Sequence, residues 1–501
     1  MAGMMGIFPG AARLVVDVRQ TVPTPLARPG CRSPALSPAA PRRYGGAWRV
    51  EVAEPLTPLI TRFCPAAHDL LTESRYPAEL MRRKNNRVLL ALGSITLAIA
   101  TLGCGRTTPA STGSGARPAT PQQAGTAVAR SGYSSTCAHP PVPLPSGENV
   151  TVSGHQLMAG DRPFVVHGAI IEGLQDSPAA LAALQRQKGT AYANVEAAQR
   201  AFGSAELKAL RCMGVNTLRI HVGQPSADPE SALYFKSYLE HFVTDVRLAR
   251  AQGLAVIVDM NDERHSGETH QAGNPTMATV RAWQAVVPML ANVPGVMFEA
   301  FNEPLLEPSV PGAWRIWLNG GLAPGPHSQG LFQTVGVQQL VDTIRAGGAR
   351  NPIILMGLLH AGNEGWTLAG MPPVADPIHQ LAFAIHFPFT GGPISKDEPK
   401  WNRAFGDAAQ SVPVLVTAFN VNSSVHCGPD TATTLPWFVD NYLPAHGVGL
   451  VAWAADWPGT IFQRTYTGPL TTLSHFTCQK GSQDHRLGDG ELLYNDFTTG
   501  G

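Results

Sequence analysis

From residue 150 onward, short apolar runs alternate with amphipathic stretches of helical length, the texture of strand–helix repeats around a parallel sheet. A hairpin over 150–163 leads into a first strand at 164–170, then a helix at 205–213 and a second strand at 217–221. The pattern continues with a helix at 233–252, a third strand at 255–259, a helix at 277–290 and a fourth strand at 296–301. A helix at 331–346 precedes the fifth strand at 353–356, and further strands follow at 381–385, 414–417 and 449–453.

Eight β units with helices between them predict an α/β fold of the (β/α)8 TIM-barrel type. A doubly wound open sheet is the alternative, but no Gly-rich phosphate loop follows the first strand, where Gly168 and Gly173 stand apart. Barrels of this kind place their chemistry at the C-terminal ends of the strands, and those ends are where candidate residues are sought.

The fourth strand ends in Phe301-Asn302-Glu303-Pro304, a polar pair at the rim of an apolar strand, which suits a carboxylic acid held beside a substrate. The run Val296-Met297-Phe298-Glu299-Ala300-Phe301-Asn302-Glu303-Pro304 resembles the fourth-strand signature of glycoside hydrolase family 5, the cellulase-like retaining β-glycosidases. In that family the Glu of Asn-Glu-Pro is the general acid/base. Gly214-Val215-Asn216-Thr217-Leu218-Arg219 is similar to the family's second strand, whose arginine lies beside the nucleophile. His386 matches a substrate-side histidine after strand six, and Trp453 the tryptophan that floors the sugar subsite.

The resemblance runs from about residue 150 to the end of strand eight. It implies action on O-glycosidic bonds of β-linked polysaccharides or oligosaccharides, with Glu303 as acid/base. Arg219, Asn302, His386 and Trp453 would bind substrate, with no cofactor and no metal. His167, His221 and His360 form no spacing of the metal-ligand kind.

Retaining glycosidases need two carboxyl groups about 5 to 5.5 Å apart, and the resemblance places the second at the end of strand seven. There the family reads like Pro-Val-Phe-Val-Thr-Glu-Phe-Gly, whereas this chain reads Pro413-Val414-Leu415-Val416-Thr417-Ala418-Phe419-Asn420. Ala418 thus stands at the nucleophile position with no lone pair to attack with. The tyrosine expected two residues after the strand-six histidine is Pro388, and strand three delivers Asp259-Met260-Asn261-Asp262 where a histidine is usual.

Without that glutamate Arg219 requires another partner, since an unpaired cation inside a cleft is costly. A displaced acid could serve: Glu172 after strand one, Asp259 or Asp262 after strand three, Glu364 after strand five, or Asp456 after strand eight. The alternative is a substrate carboxylate such as that of a uronic acid. Trp314 and Trp317 in the fourth loop, and Trp457 and Phe462 after strand eight, suit either stacking on sugar rings or packing of loops.

Three functions fit: a glycosidase using a non-standard route, a carbohydrate-binding pseudoenzyme that keeps the cleft, and a different barrel chemistry built on Asp259, Asp262 or Asp456.

Composition narrows the partners. Hydrophobic residues make up 44% and charged residues 15%, with 37 basic against 36 acidic side chains. That balance leaves no electrostatic footprint for nucleic acid or an anionic membrane surface.

The first 146 residues differ from the rest. Residues 1–80 are Pro-, Ala- and Arg-rich without a legible folded domain, and read as an over-extended leader. Residues 81–104 have the basic, apolar and small-residue segments of an export signal; a membrane-anchoring helix is the alternative, although the apolar run is shorter than the roughly 20 residues a span prefers.

Thr101-Leu102-Gly103-Cys104 resembles a bacterial lipoprotein cleavage box, with Thr101 where leucine is usual. The expected location is therefore exported: periplasmic, outer-membrane-anchored through lipid on Cys104, or extracellular. Residues 105–146 read as a flexible tether with a stiffer Pro-rich end, and 147–501 as the barrel domain. In an oxidising compartment the expected bridge joins Cys427 and Cys478, with Cys212 a buried free thiol on its helix.

Overall fold

The computed structural model describes residues 137, 141–182, 202–261, 273–325, 330–360, 365–386, 392–420, 430–465, 468–475 and 489–499. Outside them lie the leader, the signal segment and most of the tether. So do Asp262, Glu364, Pro388, Cys427 and Cys478.

Eight parallel strands close into a barrel: β1 (His167–Ile171), β2 (Thr217–Gly223), β3 (Ala255–Asn261), β4 (Val296–Glu299), β5 (Ile353–Met356), β6 (Leu381–His386), β7 (Val414–Phe419) and β8 (Gly449–Ala452). Neighbours in sequence are neighbours in the barrel, and β8 closes it against β1. The strands are almost wholly buried because side chains fill the interior on one face and helices cover the other.

The outer layer comprises α1 (Ser204–Cys212), α2 (Lys236–Ala251), α3 (Met277–Leu290), α4 (Val337–Ala346), α5 (Ile394–Trp401), α6 (Thr431–Trp437) and α7 (Gly490–Thr499). Helix α3 begins where Thr276 and Thr279 form a reciprocal capping box. Gly214 turns the chain from α1 into β2 at φ +96°, and a Cβ there would meet Phe497 at 2.6 Å.

Two sequence expectations change here. Residues 331–346 are not one helix: Leu331–Thr334 is a strand paired with Gly321–Pro324, and α4 begins only at Val337. Among the described residues no helix joins β5 to β6; a hairpin of Leu358–His360 and Gly365–Thr367 leads into an irregular segment. Short apolar runs fit a hairpin as well as a helix, and local periodicity does not separate them.

The N-terminal approach is docked on the barrel. Leu144 is buried and its N–H donates to the Gly253 carbonyl at 2.9 Å, while Arg250 and Arg211 donate to the Pro145 and Pro141 carbonyls. Cys137 and Cys212 form a disulfide. The expectation of a free thiol at Cys212 is thereby overturned: α1 presents it to a tether segment that sequence reading treated as unanchored.

Candidate active site

At the C-terminal mouth, β2, β3 and β4 set His221, Asp259 and Glu299 side by side, since His221 registers with Asp259 and Asp259 with Glu299. Two residues below His221, Arg219 is fully buried. Its Nε donates to Glu299 Oε2 at 2.7 Å and its Nη2 to Asn302 Oδ1 at 2.6 Å, with Asp259 Oδ2 3.2 Å from Nη2.

Thr417 Oγ1 donates to the other Glu299 oxygen at 2.9 Å. Burial opposes the charge on Arg219, but Asp259 and Glu299 outweigh it and hold its pKa above the ordinary value.

Of the displaced acids offered for Arg219, Asp259 is the one that lies against it, and the uronic acid loses its motive. The signal that was missed is Glu299, a charged residue inside an apolar strand and so one that needs a cation.

Glu303 and His386 meet across the mouth, with His386 Nδ1 2.9 Å from Glu303 Oε1. Burial, then repulsion by Arg219, holds the His386 pKa well below 6.5, so the ring is neutral. Glu303 is acceptor-only when ionised, so Nδ1–H donates and Nε2 carries the lone pair. Trp366 packs edge-on against His386, with ring centroids 5.3 Å apart, and its Nε1 donates to the Pro304 carbonyl.

Glu303 holds φ +46°, a left-handed conformation costing a non-glycine residue roughly 1–2 kcal/mol. Strain of this kind persists where surrounding contacts fix it, and functional sites are where it collects. Its side chain stays 35% exposed, open to the cleft.

Ala418 sits on β7 in register with His386 at an irregularity in the strand pairing. It is partly buried and presents only a methyl group.

On the opposite side, Glu172 follows β1 and is 22% exposed. Trp453 Nε1 donates to its Oε1, and Trp457 Nε1 to its Oε2 at 3.0 Å. The two indoles lie 5.3 Å apart, tilted by 30°. Asp456 is buried beneath this loop and accepts from the N–H groups of Gly173 and Glu172 at 2.7 and 3.2 Å.

His221 joins the two halves. Its Nδ1 lies 2.6 Å from Asp259 Oδ2 and its Nε2 3.8 Å from Glu172 Oε1. Burial lowers its pKa to about 3, and burial raises that of Asp259 to about 7 against the pull of Arg219. Asp259 Oδ2 also faces Arg219, so it acts as acceptor, which places the ring proton of His221 on Nδ1. Asn261 is buried beside the pair, with Nδ2 3.4 Å from His221 Nδ1.

The structure thus gathers Arg219, Asn302 and Asp259 into one buried network, Glu303 with His386 into a second group, and Glu172 with Trp453 and Trp457 into a third. Trp314 and Trp317 pack the fourth loop instead, donating to the Ala369 and Met356 carbonyls, and Phe462 is fully buried. Among the described residues no set of three His, Cys, Asp or Glu side chains is disposed to hold a metal ion.

A family model described as cellulase (glycosyl hydrolase family 5) matches residues 190–457. Endoglucanase 1 of Robillarda sp. (strain Y-20) is 29% identical over 150 residues, which is 27% of this chain and 38% of that protein. The match thus spans well under two thirds of that relative. A hyperthermophilic endocellulase of the archaeon Pyrococcus horikoshii is 15% identical, with 71% of this chain and 99% of that chain covered and a TM-score of 0.47. The catalytic domain of a Thermobifida fusca endoglucanase in complex with cellotetraose is 16% identical, with 70% and 97% covered and a TM-score of 0.45.

Proposed function

The chain belongs to glycosyl hydrolase family 5, the cellulase family, and from that premise we propose that it hydrolyses O-glycosidic bonds of a β-linked glycan with Glu303 as general acid. One observation carries this reading: Glu303 stands at the mouth of the barrel, partly exposed, with one oxygen held by His386 Nδ1 at 2.9 Å. A carboxyl so placed is oriented by a neutral donor and keeps an oxygen for a leaving group. General acid catalysis of this kind contributes about 10²–10⁴-fold in rate.

Arg219 supports the reading by fixing the Asn302 amide. Its guanidinium takes Oδ1, which turns the donor end of the amide away from the cation. Trp453 and Trp457, partly buried beside Glu172, support it with indole rings of the kind that stack on sugars. The Asn-Glu-Pro run supports it by family resemblance. The segment at 81–104 supports export of the mature protein, either lipid-anchored at Cys104 or released.

A second reading, a carbohydrate-binding protein without turnover, is favoured by Ala418. No carboxylate is available at that β7 position to form a covalent intermediate.

The test is hydrolysis of a panel of β-glucans, mannans and xylans by the full chain, Glu303→Gln and Ala418→Glu. Turnover by the native protein that Glu303→Gln lowers at least about 100-fold supports the hydrolase. Binding without native turnover, with activity appearing only in Ala418→Glu, supports the binding protein and sinks the hydrolase.

A further inference from the structure

We infer that the substrate itself supplies the nucleophile absent at Ala418, through the acetamido carbonyl of a β-linked 2-acetamido-2-deoxy sugar, an inference that rests on the hydrolase reading with Glu303 as acid. Near the end of β7, Ala418 is partly buried and brings only a methyl group. The described acids around the mouth are engaged elsewhere. Asp259 and Glu299 answer Arg219 inside the barrel. Asp456 is buried and accepts from the Gly173 and Glu172 N–H groups. Glu172 has an indole N–H on each oxygen, so its lone pairs are already in use.

Two features suit an acetamido group. The first is room: the Cγ and carboxyl group that an alanine lacks relative to a glutamate match in bulk the nitrogen, carbonyl and methyl of an acetamido substituent. Carried on the carbon next to the anomeric centre, its oxygen closes a five-membered ring on that centre, an intramolecular attack that needs no second reactant to be brought in.

The second is an acceptor. The pairing of β6 with β7 skips Thr417, so Ala418 stands opposite His386, and bulges of this kind re-aim side chains beside functional sites. His386 is 5% exposed, its Nδ1 is taken by Glu303, and its Nε2 has no hydrogen-bond partner among the described residues. A buried lone pair without a donor is costly, and the acetamido N–H is a donor. That N–H grows more acidic as the carbonyl oxygen bonds to carbon, so its contact with His386 is stronger in the transition state than in the ground state, which is what accelerates a reaction.

In the first step the acetamido oxygen bonds to the anomeric carbon while the bond from that carbon to the glycosidic oxygen breaks, and Glu303 gives its proton to the departing oxygen. The positive charge spreads over the new oxazolinium ring, whose N–H donates to His386 Nε2. In the second step the Glu303 carboxylate takes a proton from water. The water oxygen attacks the anomeric carbon from the face the leaving group vacated, and the bond to the acetamido oxygen breaks. The products are an alcohol and a hemiacetal of retained configuration, and Glu303 has its proton back. The course is that of a retaining glycosidase with the substrate in place of the protein carboxylate.

The experiment measures hydrolysis by the full chain of the 4-nitrophenyl β-glycosides of di-N-acetylchitobiose and of cellobiose, which differ in the acetamido or hydroxyl group beside the anomeric carbon. The acetamido substrate is expected to have a kcat/KM at least about 100-fold higher, with the β-anomer released first in proton NMR. A thiazoline analogue, with sulfur in place of the carbonyl oxygen, should inhibit competitively. Ala418→Glu should reverse the preference, because the new carboxylate fills the room the acetamido group needs.

Equal kcat/KM for the two glycosides, no turnover of the acetamido substrate, the α-anomer appearing first, or no inhibition by the thiazoline would overturn the inference. Glu303-dependent turnover of the cellobioside, or of the β-glucan, mannan and xylan panel, leaves the hydrolase standing in each of those cases. Binding without turnover of any glycan overturns the hydrolase reading and this inference with it.

Discussion

Glu299 Oε2 lies 2.7 Å from Arg219 Nε, with both side chains sealed from solvent inside the barrel. Removing one member of such a pair typically costs about 3–5 kcal/mol because the other is left buried and charged. Asp259, 3.2 Å from the same guanidinium, places Glu299→Ala at the low end, about 3 kcal/mol. Glu299→Gln keeps an acceptor for Nε and should cost less. Urea denaturation followed by tryptophan fluorescence measures both, and a loss under about 1 kcal/mol for Glu299→Ala would show that Asp259 alone satisfies the cation.

His386 acts on Glu303 through its Nδ1–H. Under the proposed hydrolase reading Glu303 gains charge as it gives up its proton, and a hydrogen bond to a charged group is worth about 1.5–3 kcal/mol, so His386→Ala should lower kcat about 10- to 100-fold. If the ring only orients the acid, KM stays near its native value. A rise in KM with unchanged kcat would instead make His386 a substrate contact.

Cys137 and Cys212 close a loop with a sequence separation of 75 residues. Chain-entropy arguments give a bridge of that span about 4 kcal/mol of stabilisation. Cys137→Ser should therefore unfold at lower denaturant concentration than the native chain, and a reductant should lower the native midpoint toward that of the variant. Identical midpoints with and without reductant would count against the bridge.

Asp496 on α7 has its pKa raised to about 7 by burial and then by the charge of Asp440. A carboxyl with an ordinary value of 3.8 thus binds its proton more tightly in the folded chain than in the unfolded one. Its stabilising contribution is complete below about pH 3.8 and is lost as pH rises through about 7. Asp496→Asn should raise the melting temperature at pH 8 and leave it nearly unchanged below pH 4. An equal shift at both pH values would rule out this linkage.

The barrel was legible because each strand is a short apolar run that needs cover on both faces, and the helix at 277–290 was readable to the residue from its amphipathic pattern. The Leu331–Thr334 strand was hidden because its apolar residues run straight into α4.

Glu303, His386 and Trp453 could be placed at the mouth from sequence because each ends a strand. Of the acids that hold Arg219, Asp259 stood among the candidates without being singled out, and Glu299 was missed. Finding them requires knowing that β2, β3 and β4 are adjacent and in register, a property of the closed sheet that no single segment contains. The grip of Trp453 and Trp457 on Glu172 was hidden for the same reason, since both tryptophans come from beyond β8, more than 280 residues along the chain.

The inward pairing of Arg219 also bears on how this lineage can change. Its charge is answered from within β3 and β4, so whatever occupies position 418 has no cation to neutralise. A change of side chain at position 418 thus leaves the buried pair untouched, while its neighbour Thr417 stays tied to that pair through Glu299. New reactivity can be tried at that rim without first repairing the core beneath it.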